Sequence, residues 1–186
     1  MLKSKIKKKY RKSPNSRLYQ GDILKDLDFV VGDAGLDTEK DHVSLEYAVI
    51  LSQDCDIEQD YNSRGKESNN DKYLRSMLVC PAYHIEKFAL GKQIDDWPMR
   101  VFSNRELEKL RKNDEYKRYH YLSKHEDYLI PELILDFKHF FTLPRKFLYD
   151  RKKEIYLASL SELFREELSQ RFSGYLSRIG LPELLT

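Results

Sequence analysis

The sequence predicts an α+β fold: a small, curved antiparallel β-barrel with one surface helix and a C-terminal amphipathic helix. About six short apolar segments are separated by turn-forming residues, a spacing that is typical of a closed or strongly curved sheet. The apolar pattern changes to helical spacing once in the middle of the chain and once near its end. With 186 residues and 40% apolar content the chain can bury one core, so we expect a single domain.

The first 17 residues form a basic segment that differs from the rest of the chain. They hold eight of the 33 lysines and arginines and no acid, which leaves 25 basic against 31 acidic residues elsewhere, or about −6. We expect a flexible arm over residues 1–17 that binds RNA or DNA through phosphate contacts. The alternative is a solvated terminus, or one that lies on the acidic body of this chain or of a partner. The arm residues expected to contact nucleic acid are Lys7, Lys8, Lys9, Arg11 and Lys12.

The barrel domain is predicted to span residues 18–186 and to begin with a strand at Leu18–Leu24. The clearest strand is Ser44–Ser52, because its four consecutive apolar residues suit burial on both faces of a sheet. Residues 58–72 are polar and have almost no aliphatic side chain, which predicts a flexible loop. Met77–Cys80 is predicted to be a second buried strand that stops at Pro81.

Two helices and three further strands complete the prediction. The surface helix lies between Ser103 and Lys117, with Asn104 as its cap. The C-terminal helix begins with the capping-box spacing of Ser159 and Glu162. Its apolar stripe recurs every three or four residues, and we expect it to pack on the barrel of the same chain, with a homodimer interface as the alternative. The stripe is Leu160, Phe164, Leu168, Phe172, Leu176 and Ile179, and the additional strands are Tyr119–Leu122, Leu133–Phe137 and Phe140–Leu143.

The densest group of reactive side chains follows the best strand, in the turn Ser52–Asp56. Strand ends beside a loop bring side chains to solvent on a fixed backbone, so this turn is the first candidate site. Cys55 is a candidate nucleophile, and Asp54 or Asp56 would orient a histidine base or bind a cation. Alternatively, Cys55 is a small buried side chain and both aspartates form Asx turns. The candidate bases are His84, His120, His125 and His139.

A second cluster, Arg118–Tyr121, interleaves aromatic rings with a cation and an imidazole. On a strand, Arg118 and His120 share one face, and Tyr121 lies on the other. The polar face can hold a phosphate, and exposed tyrosines can stack on bases. The alternative is that the strand buries its tyrosines. The combination also suggests a nuclease site, with His120 as acid or base and Arg118 stabilising charge.

No metal or cofactor is predicted. A zinc site would need Cys55, Cys80, His84 and His120, which lack the spacing of a CxxC or HxxxH pair. The chain has no apolar run near the roughly 20 residues of a membrane span, and no secretory signal follows its basic start. With only two cysteines, these features indicate a cytoplasmic protein.

The order of strands resembles the MazF/PemK-like toxins, which are endoribonucleases with an SH3-like barrel. The resemblance rests on Gln20–Leu24, Ala48–Ser52, Met77–Pro81, Leu133–Phe137 with Phe141–Pro144, and the closing helix. The chain is also similar to uncharacterised bacterial proteins with a Ser/Thr-x-x-Cys-Asp motif, here Ser52-Gln53-Asp54-Cys55-Asp56.

The resemblance implies a catalytic Arg-Pro pair before the buried strand and a catalytic Ser/Thr after the next one. Those places read Leu45-Glu46-Tyr47 and Cys80-Pro81-Ala82, so both expected catalytic positions are absent. We therefore expect a nucleic-acid- or protein-binding barrel module of a bacterial defence or toxin–antitoxin system. The alternative is an endoribonuclease with a relocated site around His120 and Arg118, assisted by Asp54 or Asp56.

Overall fold

The structure, a computed structural model, describes residues 8–31, 41–66, 70–95 and 97–178. In this part of the chain, one antiparallel sheet curls into a half-barrel, and five α-helices pack around it. The predicted α+β class, with a small curved barrel, a surface helix and a C-terminal helix, is confirmed. None of the helices described is long and apolar enough to cross a membrane.

In the described residues the sheet has eight strands: seven follow the order β1-β8-β2-β3-β4-β6-β5, and β7 pairs with the first half of β4. The strands are β1 (Tyr10–Arg11), β2 (Asp22–Val31), β3 (Asp41–Ile50), β4 (Ser76–His84), β5 (Tyr119–Leu122), β6 (Leu133–Asp136), β7 (Phe141–Pro144) and β8 (Tyr156–Leu160). The helices are α1 (Asp54–Ser63), α2 (Ile85–Ala89), α3 (Asn104–Arg111), α4 (Arg145–Ile155) and α5 (Glu162–Leu176), with a 3-10 helix at Phe137–His139.

The end of strand β3, over Ala48–Ile50, is buried on both faces, as its apolar run predicts. Val49 and Leu51 belong to a core cluster that includes Leu168 and Phe172 of α5. The alternate residues, Ala48 and Ile50, belong to a second cluster on the other face, which contains side chains of α1 and α4. The two-residue period of a strand divides the run between these clusters.

One predicted strand boundary is wrong because the sheet tolerates what the local sequence disfavours. Strand β4 runs through Pro81 to His84 instead of stopping there. On one side, β4 pairs with β7 up to Val79 and with β6 from Ala82 onward, so Pro81 lies in the gap between these partners. A proline has no N–H to donate, and at this gap no strand on that side requires one.

The predicted loop over residues 58–72 is wrong for residues 58–63, which form the second half of α1. This polar helix is held by tertiary contacts. Its Ile57 is fully buried, and the buried carboxylate of Asp60 accepts hydrogen bonds from Arg145 Nε at 2.6 Å and from the backbone N–H of Leu74 at 2.9 Å. Arg145 lies 85 residues from Asp60 in sequence and Leu74 lies 14 residues from it, so no local pattern reveals these contacts.

The predicted flexible arm is also wrong over residues 8–17, which pack on the sheet, while residues 1–7 lie outside the described residues. Tyr10 is 1% exposed and its hydroxyl donates to Ser123 O at 2.6 Å, while β1 pairs with β8. The ammonium of Lys12 donates to Leu157 O at 2.7 Å, and Arg17 is buried. Residues 8–17 pack on the sheet because one aromatic ring is buried and these polar groups are paired. The composition of the segment alone is typical of a solvated terminus.

The predicted helices are confirmed with shifted starts. Helix α3 is capped by Ser103, whose hydroxyl and Glu106 form a capping box, and Asn104 is its first residue. Helix α5 follows Ser161, because Ser159 and Leu160 end strand β8. Leu168 and Phe172 bury α5 against the barrel of the same chain, as predicted. Ile179, the last residue of the predicted stripe, lies outside the described residues.

Candidate functional site

A pocket of about 450 Å³ opens beside the turn that the sequence marks as the first candidate site. One wall is that turn, another is the adjoining sheet of β4 and β7, and the third is the C-terminal half of α5. The lining residues are Gln20, Leu51, Ser52, Gln53, Asp56, Leu74, Ser76, Leu78, Thr142, Ser169, Phe172, Ser173 and Leu176. The volume lies within the range of ligand-binding sites.

The turn is fixed by hydrogen bonds to the neighbouring strand. After β3 ends, the N–H of Leu51 donates to Leu78 O at 2.9 Å. The hydroxyl of Ser52 accepts from the N–H of Leu78 at 2.7 Å, and Gln53 then caps α1 through its backbone alone. The chain therefore passes directly from the sheet into a helix whose first turn contains Asp54, Cys55 and Asp56.

Asp54 ties this turn to two other parts of the chain. Its carboxylate lies 3.2 Å from Arg17 Nη2 and 3.1 Å from Arg165 Nη1 of α5, and it accepts the backbone N–H of Gln20 at 3.2 Å. The side-chain amide of Gln20 donates to Leu51 O at 2.9 Å. Two guanidinium groups neutralise this carboxylate, so Asp54 braces the pocket and is not free to act as a base.

Asp56 and Cys55 differ from Asp54 because both are exposed. The carboxylate of Asp56 lines the pocket and, among the residues described, has only the Cys55 thiol as a partner, at 3.7 Å. Neither aspartate closes the strand in an Asx turn, since both lie in the first turn of α1. Cys55 is not the buried side chain of the alternative prediction, and no histidine is recorded within hydrogen-bond distance of it.

The second predicted cluster lies in the core instead of lining the pocket. His120 is 2% exposed, its ring stacks near Phe137 with centroids 6.3 Å apart, and its Nδ1 has no hydrogen-bond partner among the residues described. Burial, together with the charges of Lys9 and Arg171, lowers the pKa of His120 well below its usual value. A neutral imidazole without solvent access is poorly suited to act as an acid or base on RNA.

Arg118 is engaged by a buried carboxylate. Its Nε and Nη2 donate to the two oxygens of Asp136 at 2.7 and 2.5 Å. Tyr119 is buried, and the hydroxyl of Tyr121 donates to Glu132 Oε1 at 2.5 Å. These contacts favour the alternative in which the strand builds the core over the one in which it contacts bases.

The remaining candidate bases and the second cysteine are separated from the turn. His84 Nε2 lies 2.6 Å from Glu46, His139 Nδ1 lies 3.0 Å from the hydroxyl of Tyr83, and His125 stacks on Tyr128. Cys80 is buried, and burial and the Asp136 charge raise the pKa of its thiol well above its usual value. In the described ranges, no group of three or more histidine, cysteine, aspartate or glutamate side chains is arranged to hold a metal ion.

The described cations of the basic segment are largely occupied within the protein. The ammonium of Lys9 lies 5.6 to 5.8 Å from the ring centroids of Tyr10, Tyr121 and Phe164. Arg11 lies 3.7 Å from Glu162, and Lys12 donates to a backbone carbonyl. Lys8 is exposed, and Lys7 lies outside the described residues.

No family model matches the chain, and no curated protein matches it.

The sequence indicates the turn but not the other walls of the pocket. Gln20, Arg17 and Arg165 brace it from distant parts of the chain. The one available signal was the pair Ser169 and Ser173, two hydroxyls four residues apart on a helix. At that spacing both lie on one helix face.

Proposed function

We propose that this protein is a binding module that recognises a polypeptide segment in the pocket between the Ser52–Asp56 turn and α5. The observation that carries the proposal is the chemistry of the lining. It combines hydroxyls, amides and an apolar floor with one free carboxylate, and none of its described residues is lysine, arginine or histidine. Convergent polar groups over apolar surface are typical of sites for peptides and other uncharged or cationic ligands.

A polypeptide fits this pocket better than a nucleic acid does. Nucleic-acid binding depends on cations that neutralise phosphates. Here the accessible pocket carries a carboxylate, and most described cations of the N-terminal segment are bound to carbonyls, rings or acids. The polyanion would therefore meet a repulsive charge at the pocket.

Binding is also better supported than RNA cleavage at the relocated site. The proposed base, His120, has no access to solvent, and the proposed charge stabiliser, Arg118, is neutralised by Asp136. The setting that we propose, a bacterial defence or toxin–antitoxin system, rests on the resemblance of the strand order to MazF/PemK-like barrels, in which loss of both catalytic positions leaves a scaffold for binding.

Site-specific photocrosslinking in the cell of origin tests the class of ligand. A benzophenone side chain is placed at Ser173 in the pocket or, as the matched control, at the exposed Gln170 on the same helix. We expect an adduct from position 173 alone that is destroyed by protease and resists nucleases.

Two results would contradict the proposal. A nuclease-sensitive adduct at Ser173 would make this pocket a nucleic-acid site. Cleavage of labelled single-stranded RNA by the purified protein, lost in His120→Ala, would support the ribonuclease alternative.

A further inference from the structure

We infer that the pocket recognises a basic side chain, carried by an extended segment of the partner polypeptide, through the carboxylate of Asp56. This inference rests on the proposed function and names the chemistry of its ligand. Three features of the pocket support it: the charges around the turn, the apolar side chains of the lining and the hydroxyls of the lining.

The charges on α1 leave one carboxylate of the pocket without a countercharge. Asp54 is neutralised by Arg17 and Arg165. Asp60 is buried between Arg64 and Arg145. Asp56 lies between them in sequence, is exposed, and forms no ion pair with any residue in the described ranges.

No described basic side chain lines the pocket to satisfy Asp56 from within. Lining residues are mostly uncharged, so an incoming ammonium or guanidinium group meets one attractive charge and no repulsive one. This exposed carboxylate therefore favours a cationic ligand over a neutral or an anionic one.

The apolar wall suits the aliphatic stem of the same side chain. Leu78 of β4 and Phe172 and Leu176 of α5 line the pocket, and Leu176 is 53% exposed. The ring of Phe140 packs edge-on against Phe172 with centroids 5.3 Å apart and extends this surface. Lysine and arginine bury their methylene stems on apolar surface while the charged head reaches a polar group, which is the arrangement offered here.

Four hydroxyls that line the pocket have no hydrogen-bond partner within the part of the chain that is described. They belong to Ser76, Thr142, Ser169 and Ser173. A hydroxyl both donates and accepts, so this group can pair with the backbone amides of an extended segment as well as with a charged head. The pocket therefore combines peptide contacts with selection for one positive charge.

The test uses a displayed library of random eight-residue peptides selected on the full chain. We expect the enriched peptides to share a lysine or arginine at one position. A synthetic peptide from this set, with lysine at that position, should bind about ten times more weakly when the lysine is replaced by norleucine. The Asp56→Asn variant should bind the lysine peptide about ten times more weakly and lose the preference for lysine over norleucine.

The controls separate the pocket from the general surface. Glu58→Gln removes an exposed acid on the same helix, outside the pocket, and should keep the preference. Ser173→Trp fills the pocket and should abolish binding, whereas Gln170→Trp adds the same ring elsewhere on α5 and should not. Unfolding temperatures of the four variants, which all change exposed residues, establish that each is folded.

The outcomes distinguish the inference from the function on which it rests. Peptides that bind wild type and Gln170→Trp but not Ser173→Trp, with no preference for a basic residue, would overturn the inference and leave a polypeptide-binding pocket. Enrichment of no peptide, or of peptides indifferent to Ser173→Trp, would overturn both.

Discussion

The guanidinium of Arg118 and the carboxylate of Asp136 form a two-pronged ion pair, with Nε 2.7 Å from Oδ1 and Nη2 2.5 Å from Oδ2. The side chain of Asp136 is fully buried and that of Arg118 is 27% exposed. Asp136 also accepts the backbone N–H of Lys138 at 3.0 Å, which starts the 3-10 helix. The pair therefore links the residue before β5 to the end of β6 and belongs to the fold.

Loss of Arg118 should be strongly destabilising because it removes the guanidinium partner of a buried carboxylate. The other nearby base, His139, has Nδ1 3.6 Å from Asp136 Oδ2, and burial lowers the pKa of its imidazole. We expect Arg118→Ala to lower the free energy of unfolding by about 3 kcal/mol or more, as measured by urea denaturation. Arg105→Ala, at an exposed arginine on α3, should change it by less than about 0.5 kcal/mol. Equal losses for the two variants would show that the pair contributes no special stability.

His120 should remain neutral in the folded protein. Burial lowers its pKa, so as the pH falls below about 6.5 the unfolded chain takes up a proton before the folded one, and stability is lost in that range. We expect the ring resonances of His120 to stay constant from pH 8 to pH 5 in NMR spectra. His120→Leu should reduce the acid loss of stability, whereas His42→Gln, at an exposed histidine, should not. Titration of His120 near pH 6.5 would contradict this account and favour the ribonuclease alternative.

Asp22 should make the protein less stable as the pH rises from 4 to 7. Burial raises the pKa of this carboxyl to about 7, although its oxygens accept hydrogen bonds from Ser159 Oγ and the N–H of Tyr19. Because the folded pKa lies above the unfolded one, the stabilisation is complete below about pH 4 and is lost through pH 7, by on the order of 2–4 kcal/mol.

Asp22→Asn keeps the shape and an acceptor oxygen but removes the titration. We expect urea denaturation of this variant at pH 5 to 8 to show a smaller decline than that of wild type. Asp28→Asn, at an exposed position of the same strand, is the control and should follow wild type. An unchanged decline in Asp22→Asn would mean that another group causes it.

The buried ammonium of Lys9 should lower the free energy of unfolding at neutral pH. Burial lowers the pKa of its ammonium to about 8, with the charge of Glu167 opposing the shift. As the pH falls from about 10.5 to 8, the unfolded chain binds this proton before the folded one, so the cost grows over that range and persists below it. Lys9→Met keeps the contact with the three rings and should raise the free energy of unfolding at pH 7 by about 1–3 kcal/mol.

The gain from Lys9→Met should shrink as the pH approaches 10. Lys8→Met removes an exposed neighbouring ammonium and should give less than about 0.5 kcal/mol at either pH. Destabilisation by Lys9→Met at pH 7 would show that attraction between the ammonium and the rings outweighs the cost of its burial.

The sequence indicates some parts of the candidate site and not others. The sequence indicates the turn Ser52–Asp56 because the turn follows an apolar run, and such a run ends where the chain leaves the core. The sequence does not indicate the different roles of Asp54 and Asp56. Asp54 is held by Arg165, more than 100 residues later, whereas Asp56, two residues away from it, has no such partner in the part of the chain that the structure describes.

The spacing of apolar residues a few positions apart is enough to indicate the central strands, the amphipathic helix and the α+β class. It does not indicate β1, which lies in the predicted arm, or β8, which overlaps the predicted start of the C-terminal helix. Val49 and Ala48 are assigned to opposite faces by that spacing alone. Only the tertiary structure decided the helix at residues 58–63, the packing of residues 8–17 and the state of each charge. Those depend on contacts such as that of Arg145 with Asp60, in which burial and ion pairing join residues 85 positions apart. Electrostatic energy depends on distance in space and on solvent exposure, and neither is specified by neighbours in the chain.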